Sequence, residues 1–302
     1  MANRVRLGQI FNITDGKDGD FIPTKASLYL KRIGENARDY FYIEDDPVVI
    51  DATNFSAIYQ GVSKIIFDEC YEDFTGNGYM RCLELADPYS GFSILQYPIK
   101  VESAALYHLW LRVYSTNVTD IDTINIYLDN DNIQKIDISS TTEEWHWVHT
   151  TIVIHDNLEH VLGISLEEEN FSLDKIYINV NNVVQSGNGA DYTESPFLTT
   201  HVKIHELDTS INMLNPLFVY DYKNSIDEIK RDDWYNYDTT VLLDSVSFDF
   251  VYYAIVFTVT GGDEQNSITW ELQDSSSLYD PYDPYDPYDV SFAISPSIIK
   301  VG

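Results

Sequence analysis

Short runs of alternating or β-branched residues, each closed by a turn signal and none followed by a helical period, most constrain what this chain can become. They occupy Val48–Ile50, Lys64–Phe67, Phe92–Tyr97, Leu106–Tyr114 and Ile124–Leu128. The series continues through Trp147–Ile154, His160–Leu166 and Leu173–Val180. Strands this close together leave no room for crossover helices, so they must stack as antiparallel layers. The expected fold is all-β, with an antiparallel jelly-roll β-sandwich over residues 46–182. A β-rich attachment segment over 1–45 precedes it, with one short helix expected near Tyr29–Arg38. Residues 183–200 read as a linker to a second, immunoglobulin-like β-domain over 201–302, with strands at Val246–Thr260, Ser267–Leu272, Val290–Ile294 and Ile298–Val301.

A chain of 302 residues with 44% hydrophobic and 14% aromatic side chains has material for more than one packed core. Its charge is the other constraint: 49 acidic against 18 basic residues, a formal −31. Such a surface repels nucleic acid and anionic membranes, and neither is an expected partner. No segment reaches the roughly 18 apolar residues that span a bilayer. The run Asp15–Asp20 could be a cation-binding turn, but it lacks the closing Glu of an EF-hand and reads as a solvated turn. Proline at every third place makes Tyr279–Asp289 an exposed polyproline-type loop, either a spacer or a contact loop. Cys70 and Cys82 are too sparse for a disulfide framework and read as two buried thiols, a bridge between them being the alternative.

Strand parity sorts side chains onto faces. In Leu106–Tyr114, Tyr107, Leu109, Leu111 and Val113 belong to the core, leaving His108, Trp110, Arg112 and Tyr114 on the other side. The same rule puts Asn125 and Tyr127, then Lys175, Tyr177 and Asn179, on outer faces. If these strands share one sheet, Trp110, Arg112, Tyr127 and Tyr177 form a platform suited to sugars. A pyranose stacks its C–H groups on an aromatic plane while its hydroxyls need fixed amides or Arg. The alternative is a face covered by a flanking segment or a partner, where the same residues are enriched.

Residues 48–180 resemble the carbohydrate-binding modules of the galactose-binding-like β-sandwich group. The resemblance rests on Val49–Phe55, Tyr89–Phe92, Tyr107–Arg112, Trp145–Val148, the Gly163 turn and Glu168–Ile176. It implies glycan binding without catalysis. It also implies a calcium held by an early acidic word and by the closing Asp174. Here the early word reads Asp51-Ala52-Thr53, one carboxylate shortened and another replaced by a hydroxyl, a poorer donor set for a hard cation. Calcium at Asp51 and Asp174 is therefore a candidate rather than a requirement, and no other cofactor is expected.

No zinc-protease, nucleophile-elbow, phosphate-loop or dinucleotide motif occurs, so the chain is not expected to be an enzyme. His146 and His149 fall on opposite strand faces, and His201 and His205 lie two pleats apart, so neither pair chelates by itself. The N-terminus has no apolar run of signal-peptide length, yet the module resembles extracellular ones. One class reconciles the two: a non-enzymatic bacteriophage virion structural protein, assembled in the host cytoplasm as a head decoration, head fibre or tail/neck accessory. Its expected partners are other virion proteins, further copies of itself in a homo-oligomer, and host-surface glycans. The alternative is a bacterial carbohydrate-binding accessory protein.

Overall fold

The computed structural model describes residues 6–12, 25–34, 38–44, 46–59, 64–84, 93–116, 122–138, 143–167, 169–207, 210, 213–217, 221–226, 228–229, 233–238, 252–262 and 267–270. Among them every regular element is a strand. The first seven are β1 (Arg6–Asn12), β2 (Lys25–Ile33), β3 (Phe41–Ile43), β4 (Val48–Asp51), β5 (Ala57–Tyr59), β6 (Lys64–Asp68) and β7 (Tyr79–Glu84). Next come β8 (Ile94–Val101), β9 (Ala105–Tyr114), β10 (Asp122–Leu128), β11 (Asp131–Ile138), β12 (His146–Ile154), β13 (Glu159–Leu166) and β14 (Ser172–Asn179). The last six are β15 (Leu198–Leu207), β16 (Met213–Leu217), β17 (Tyr222–Asn224), β18 (Asp233–Asp238), β19 (Tyr252–Gly261) and β20 (Ser267–Trp270).

The all-β jelly roll is present. Sheet I runs β11-β10-β13-β8-β3 with β5 on β8, and sheet II runs β12-β9-β14-β7-β6 with β4 on β14. The chain changes sheet at almost every step from β8 to β14, because each strand is apolar on one side only and needs a layer opposite. The exception is the β10–β11 hairpin, where Asp129 (φ 53°) and Asn130 (φ 73°) make the two-residue turn whose twist suits antiparallel strands. Between the sheets lies one core, with Leu95, Tyr97, Ile99, Ile124, Ile126 and Ile164 facing Leu109, Leu111, Val113, Ile152, Ile176 and Ile178. The core set read from parity in Leu106–Tyr114 is buried throughout, at 1% exposure or less.

The N-terminal strands do not stand apart. β1 pairs with β19 over its whole length, and β2 lies between β18 and β20. Thus sheet III (β1-β19-β15-β16, with β17 on β15) and sheet IV (β18-β2-β20) form a second sandwich, closed by residues from both ends of the chain. Its core joins Leu28 and Leu30 to Val202, Ile204, Ile229, Tyr237, Ile255 and Phe257. The helix expected at Tyr29–Arg38 is not formed: Lys25–Ile33 is strand β2, ending at Gly34 with φ 79°. The alternation Ala26, Leu28, Leu30 outweighs the helix-favouring charges because it matches the sandwich interior.

Sheet III is covered on both sides. Val202 and Ile204 face sheet IV, while His201 and Lys203 face the jelly roll. His201 stacks on Phe67 at 4.6 Å and meets Phe55 edge-on at 5.9 Å, and its full burial pushes its pKa down to about 3. Across the same junction Asn224 Nδ2 donates to the Phe55 carbonyl (2.9 Å), and the Ile58 N–H donates to the Tyr222 hydroxyl (3.0 Å). The segment expected to be a linker is packed: Phe197 belongs to the jelly-roll core and meets Phe41 edge-on at 5.4 Å. Cys82 is buried and Cys70 exposed, with no disulfide between them, so the reading of two buried thiols holds for one of them. The Asp15–Asp20 turn, Tyr279–Asp289 and the two C-terminal strand expectations lie outside the described residues.

Because Leu30 is wholly buried in the second sandwich, Leu30→Ala should cost about 2–5 kcal/mol in urea unfolding. A merely appended N-terminal segment would show no such loss.

Candidate functional site

Sheet II presents its outer side chains in cross-strand rows. Trp147, Arg112, Lys175 and Asp51 make one row; His149, Trp110, Tyr177 and Val49 make the next; Thr151, His108 and Asn179 make the third. A β-bulge between Leu173 and Lys175 sets this pattern. The extra residue, Asp174, is carried to the outer side with Lys175.

Three of the four platform candidates are therefore on one face, but most of that face is covered. The segment after β14 folds back over it. Lys175 Nζ donates to the carbonyls of Asn188 (2.9 Å) and Ala190 (3.0 Å), and Trp147 Nε1 donates to the Gly187 carbonyl (2.9 Å). Thr193 pairs with Val49 in both directions at 2.9 Å. Gly189, at φ 70°, lies so close to the Trp147 ring that a methyl group there would collide with it. Arg112 and Tyr177 are buried as a result, at 3% and 2% exposure, and only Trp110 keeps part of its surface open. For Arg112 and Tyr177 the covered-face alternative is the one realised.

Arg112 has a different occupation. Its guanidinium donates to Asp174 Oδ2 (2.6 Å), to the Asp73 carbonyl (2.9 Å) and to Asn188 Oδ1 (3.2 Å). The other donors to the Asp174 carboxylate are the Thr75 N–H (3.0 Å), the Thr75 hydroxyl (2.7 Å) and the Tyr192 hydroxyl (3.5 Å). Asp51 accepts from the Thr53 N–H (2.9 Å) and hydroxyl (2.7 Å) and from the Asn77 N–H (3.3 Å). These carboxylates fit protein donors and not calcium. A hard cation needs six to eight oxygens, whereas here a guanidinium, one backbone amide and two hydroxyls already fill the positions around Asp174. No group of three His, Cys, Asp or Glu that could hold a metal occurs among the described residues.

Tyr127 is on the opposite side of the molecule. β10 belongs to sheet I, so the single-sheet condition behind the four-residue platform fails. Parity is blind to this: consecutive strands can carry the same outward pattern while belonging to different layers. Around Tyr127 the outer face of sheet I has two rows. One runs Tyr127, Gly163, Gln96, Ala57; the other runs Asn125, Ser165, Ile94, Tyr59. Gly163 has no side chain to hold Tyr127 off. A Cβ there would lie 3.0 Å from the Tyr127 Cβ and 2.9 Å from the Ile94 side chain. Tyr127 leans across this gap, half-exposed, with Asn132 as a side-chain hydrogen-bond partner. Gln96 Nε2 donates to Asn130 Oδ1 (3.3 Å) beside it. The buried Ser165 hydroxyl has no partner among the described residues. Tyr59, 64% exposed, flanks the far side, three strand spacings or roughly 14 Å from β10. Sequence reading missed Tyr59, Gln96 and the role of Gly163, which is expected at a turn but lies in the middle of β13, paired with Tyr127 and Gln96.

No family model matches this chain, and no curated protein does. Solved structures are similar to under half of it. A Podospora anserina GH26-CBM35 β-(1,4)-mannanase has 15% identity, covering 46% of this chain and 29% of that one, with a TM-score of 0.36. A family 35 carbohydrate binding module from Clostridium thermocellum has 14% identity, covering 44% and 97%, with a TM-score of 0.35. The Cellvibrio mixtus lichenase 5A module CBM6cm-2, in complex with cellotriose, has 18% identity, covering 45% and 98%, with a TM-score of 0.34. At these scores the likenesses carry no argument about what this chain binds; its own faces do.

Two predictions follow from the buried charges. Arg112→Met strands Asp174 without its cation and should cost about 3–5 kcal/mol in chemical denaturation. Asp51 is the more telling case. Burial pushes its pKa up to about 7, against the lowering effect of its hydrogen bonds to Thr53. A carboxyl raised in the folded state stabilises fully below its unfolded pKa of about 4 and loses that contribution as pH rises through 7. Stability of the wild type relative to Asp51→Asn should therefore fall between pH 4 and 8, by as much as about 4 kcal/mol. A difference that stays flat with pH would show Asp51 ionised throughout.

Proposed function

We propose that this chain is a non-catalytic carbohydrate-binding accessory protein whose glycan site is the outer face of sheet I. The observation that carries the reading is Tyr127 leaning over Gly163 with Gln96, Asn130 and Asn132 around it. An aromatic plane supplies the stacking surface, and neighbouring amides both donate and accept for sugar hydroxyls. Tyr59 gives a second plane at a spacing suited to a short oligosaccharide rather than one ring. No feature of the described fold favours the virion role, so the accessory-protein reading takes precedence over it.

A strong field of like charge disfavours sulfated or uronic-acid polymers at low salt, so the ligand class is neutral. Single sites of this kind should bind in the millimolar to micromolar range, about −4 to −8 kcal/mol. On an array of neutral glycans with the full chain displayed multivalently, Tyr127→Ala should weaken binding at least tenfold, about 1.4 kcal/mol, at an unchanged melting temperature. Trp110→Ala, on the other sheet, should leave binding intact. Absence of any glycan bound by the multivalent wild type would sink the reading.

A further inference from the structure

His108 and His149 are diagonal neighbours on the outer face of sheet II, one on β9 and one on the edge strand β12. His108 Nδ1 and His149 Nε2 stand 3.0 Å apart, with the two rings stacked at a 5.2 Å centroid distance and inclined by only 15°. His149 is exposed and His108 half-buried, so solvent reaches the pair. Trp110 packs against the His149 ring at 4.4 Å and restrains it. Thr151 and Asn179 flank His108 in its own row.

We infer that His108 and His149 form a binding site for a divalent transition-metal ion of the zinc, nickel or copper type. Metal–nitrogen bonds of about 2.0–2.1 Å, held cis at about 90–110°, put two imidazole nitrogens roughly 2.8–3.4 Å apart. The separation already present falls inside that window, so the backbone need not move. In the hydrogen-bonded pair one ring donates its N–H to the other. To take the ion, the donor ring carries its proton on its other nitrogen, and both rings turn their lone pairs toward one point. No third His, Cys, Asp or Glu joins them in a metal-binding group among the described residues, so water or an exogenous ligand completes the coordination. The strongly acidic chain concentrates divalent cations at its surface, and imidazole selects the borderline ones from that atmosphere.

The test is nickel binding to the full chain by isothermal titration, with millimolar magnesium present to occupy carboxylates that prefer hard ions. Wild type should show a site that is lost at pH about 5, where protons compete for imidazole. His149→Ala and His108→Ala should each weaken it at least about tenfold, since losing even an outer-shell partner of a metal ligand costs that much. His155→Ala, an exposed histidine elsewhere, should leave it unchanged. Circular dichroism and melting temperature check that the variants remain folded, and His149→Gln serves as a second, more conservative loss of the ligand. If both alanine variants bind nickel as the wild type does, or if the wild type shows no site above the carboxylate background, the inference is overturned.

Discussion

The buried pair of Arg112 and Asp174 organises the face of sheet II and much of what lies over it. Their side chains are 4% and 0% exposed, so neither charge has water to fall back on. Burial still holds the Asp174 carboxyl above its usual range despite the guanidinium, while it holds the Lys175 amine below its own. Such a pair adds little net stability compared with apolar residues of the same size, but it is unforgiving of rearrangement. The Arg112 Nη2 group can satisfy its donors only if the Asp73 carbonyl and the Asn188 amide are in place, and Lys175 only if the Asn188 and Ala190 carbonyls are. Two cations therefore specify where residues 187–190 must lie, although that segment is largely exposed.

The same bonds explain why the molecule is one connected body and not beads on a string. Once the strap is held on sheet II, Ser195 and Phe197 turn it into the jelly-roll core and deliver β15 to the junction. There His201 and Lys203 face the jelly roll while Val202 and Ile204 face sheet IV. β15 and β19 are both buried on both sides, but only β19 reads as a near-continuous apolar run, whereas β15 alternates polar with apolar residues because His201 and Lys203 are buried polar at the junction. The N-terminal strands then complete a sandwich whose other strands come from the far end of the sequence, a pairing between segments more than two hundred residues apart.

What could be read from the sequence follows the range of the forces involved. Alternation is local, so eight strands of the jelly roll and the inward set of β9 are legible, and the structure places them close to their expected bounds, while β3, β5, β7 and β11 lie in segments not read as strands. Layer membership is not local. Tyr127 and Trp110 carry the same outward signature, and only the crossing from β9 to β10 separates them by the thickness of the core. Gly187 and Gly189 look like linker residues by composition, yet Gly189 is required because the Trp147 ring lies against it. Ala26, Leu28 and Leu30 alternate as a strand does, but the partners that hold them in one, β18 and β20, come from the far end of the chain.

Charge ties the two faces together. Of the 18 Lys and Arg, Arg81, Arg112, Lys175 and Lys203 are committed to largely buried contacts, three of them against Asp68, Glu69 or Asp174. Cations used this way cannot answer the carboxylates on the surface, so the exterior is more uniformly negative than the number of basic residues suggests. A ligand approaching through that field must bring no negative charge, which suits a neutral sugar whose recognition is stacking and hydrogen bonding on sheet I. It also suits a small cation, which the field draws in from every direction. On sheet II the covering segment leaves open the half of the face where two imidazoles stand beside Trp110. One electrostatic environment would thus suit both proposed ligands on opposite faces, because a neutral sugar is indifferent to the field and a divalent cation is favoured by it.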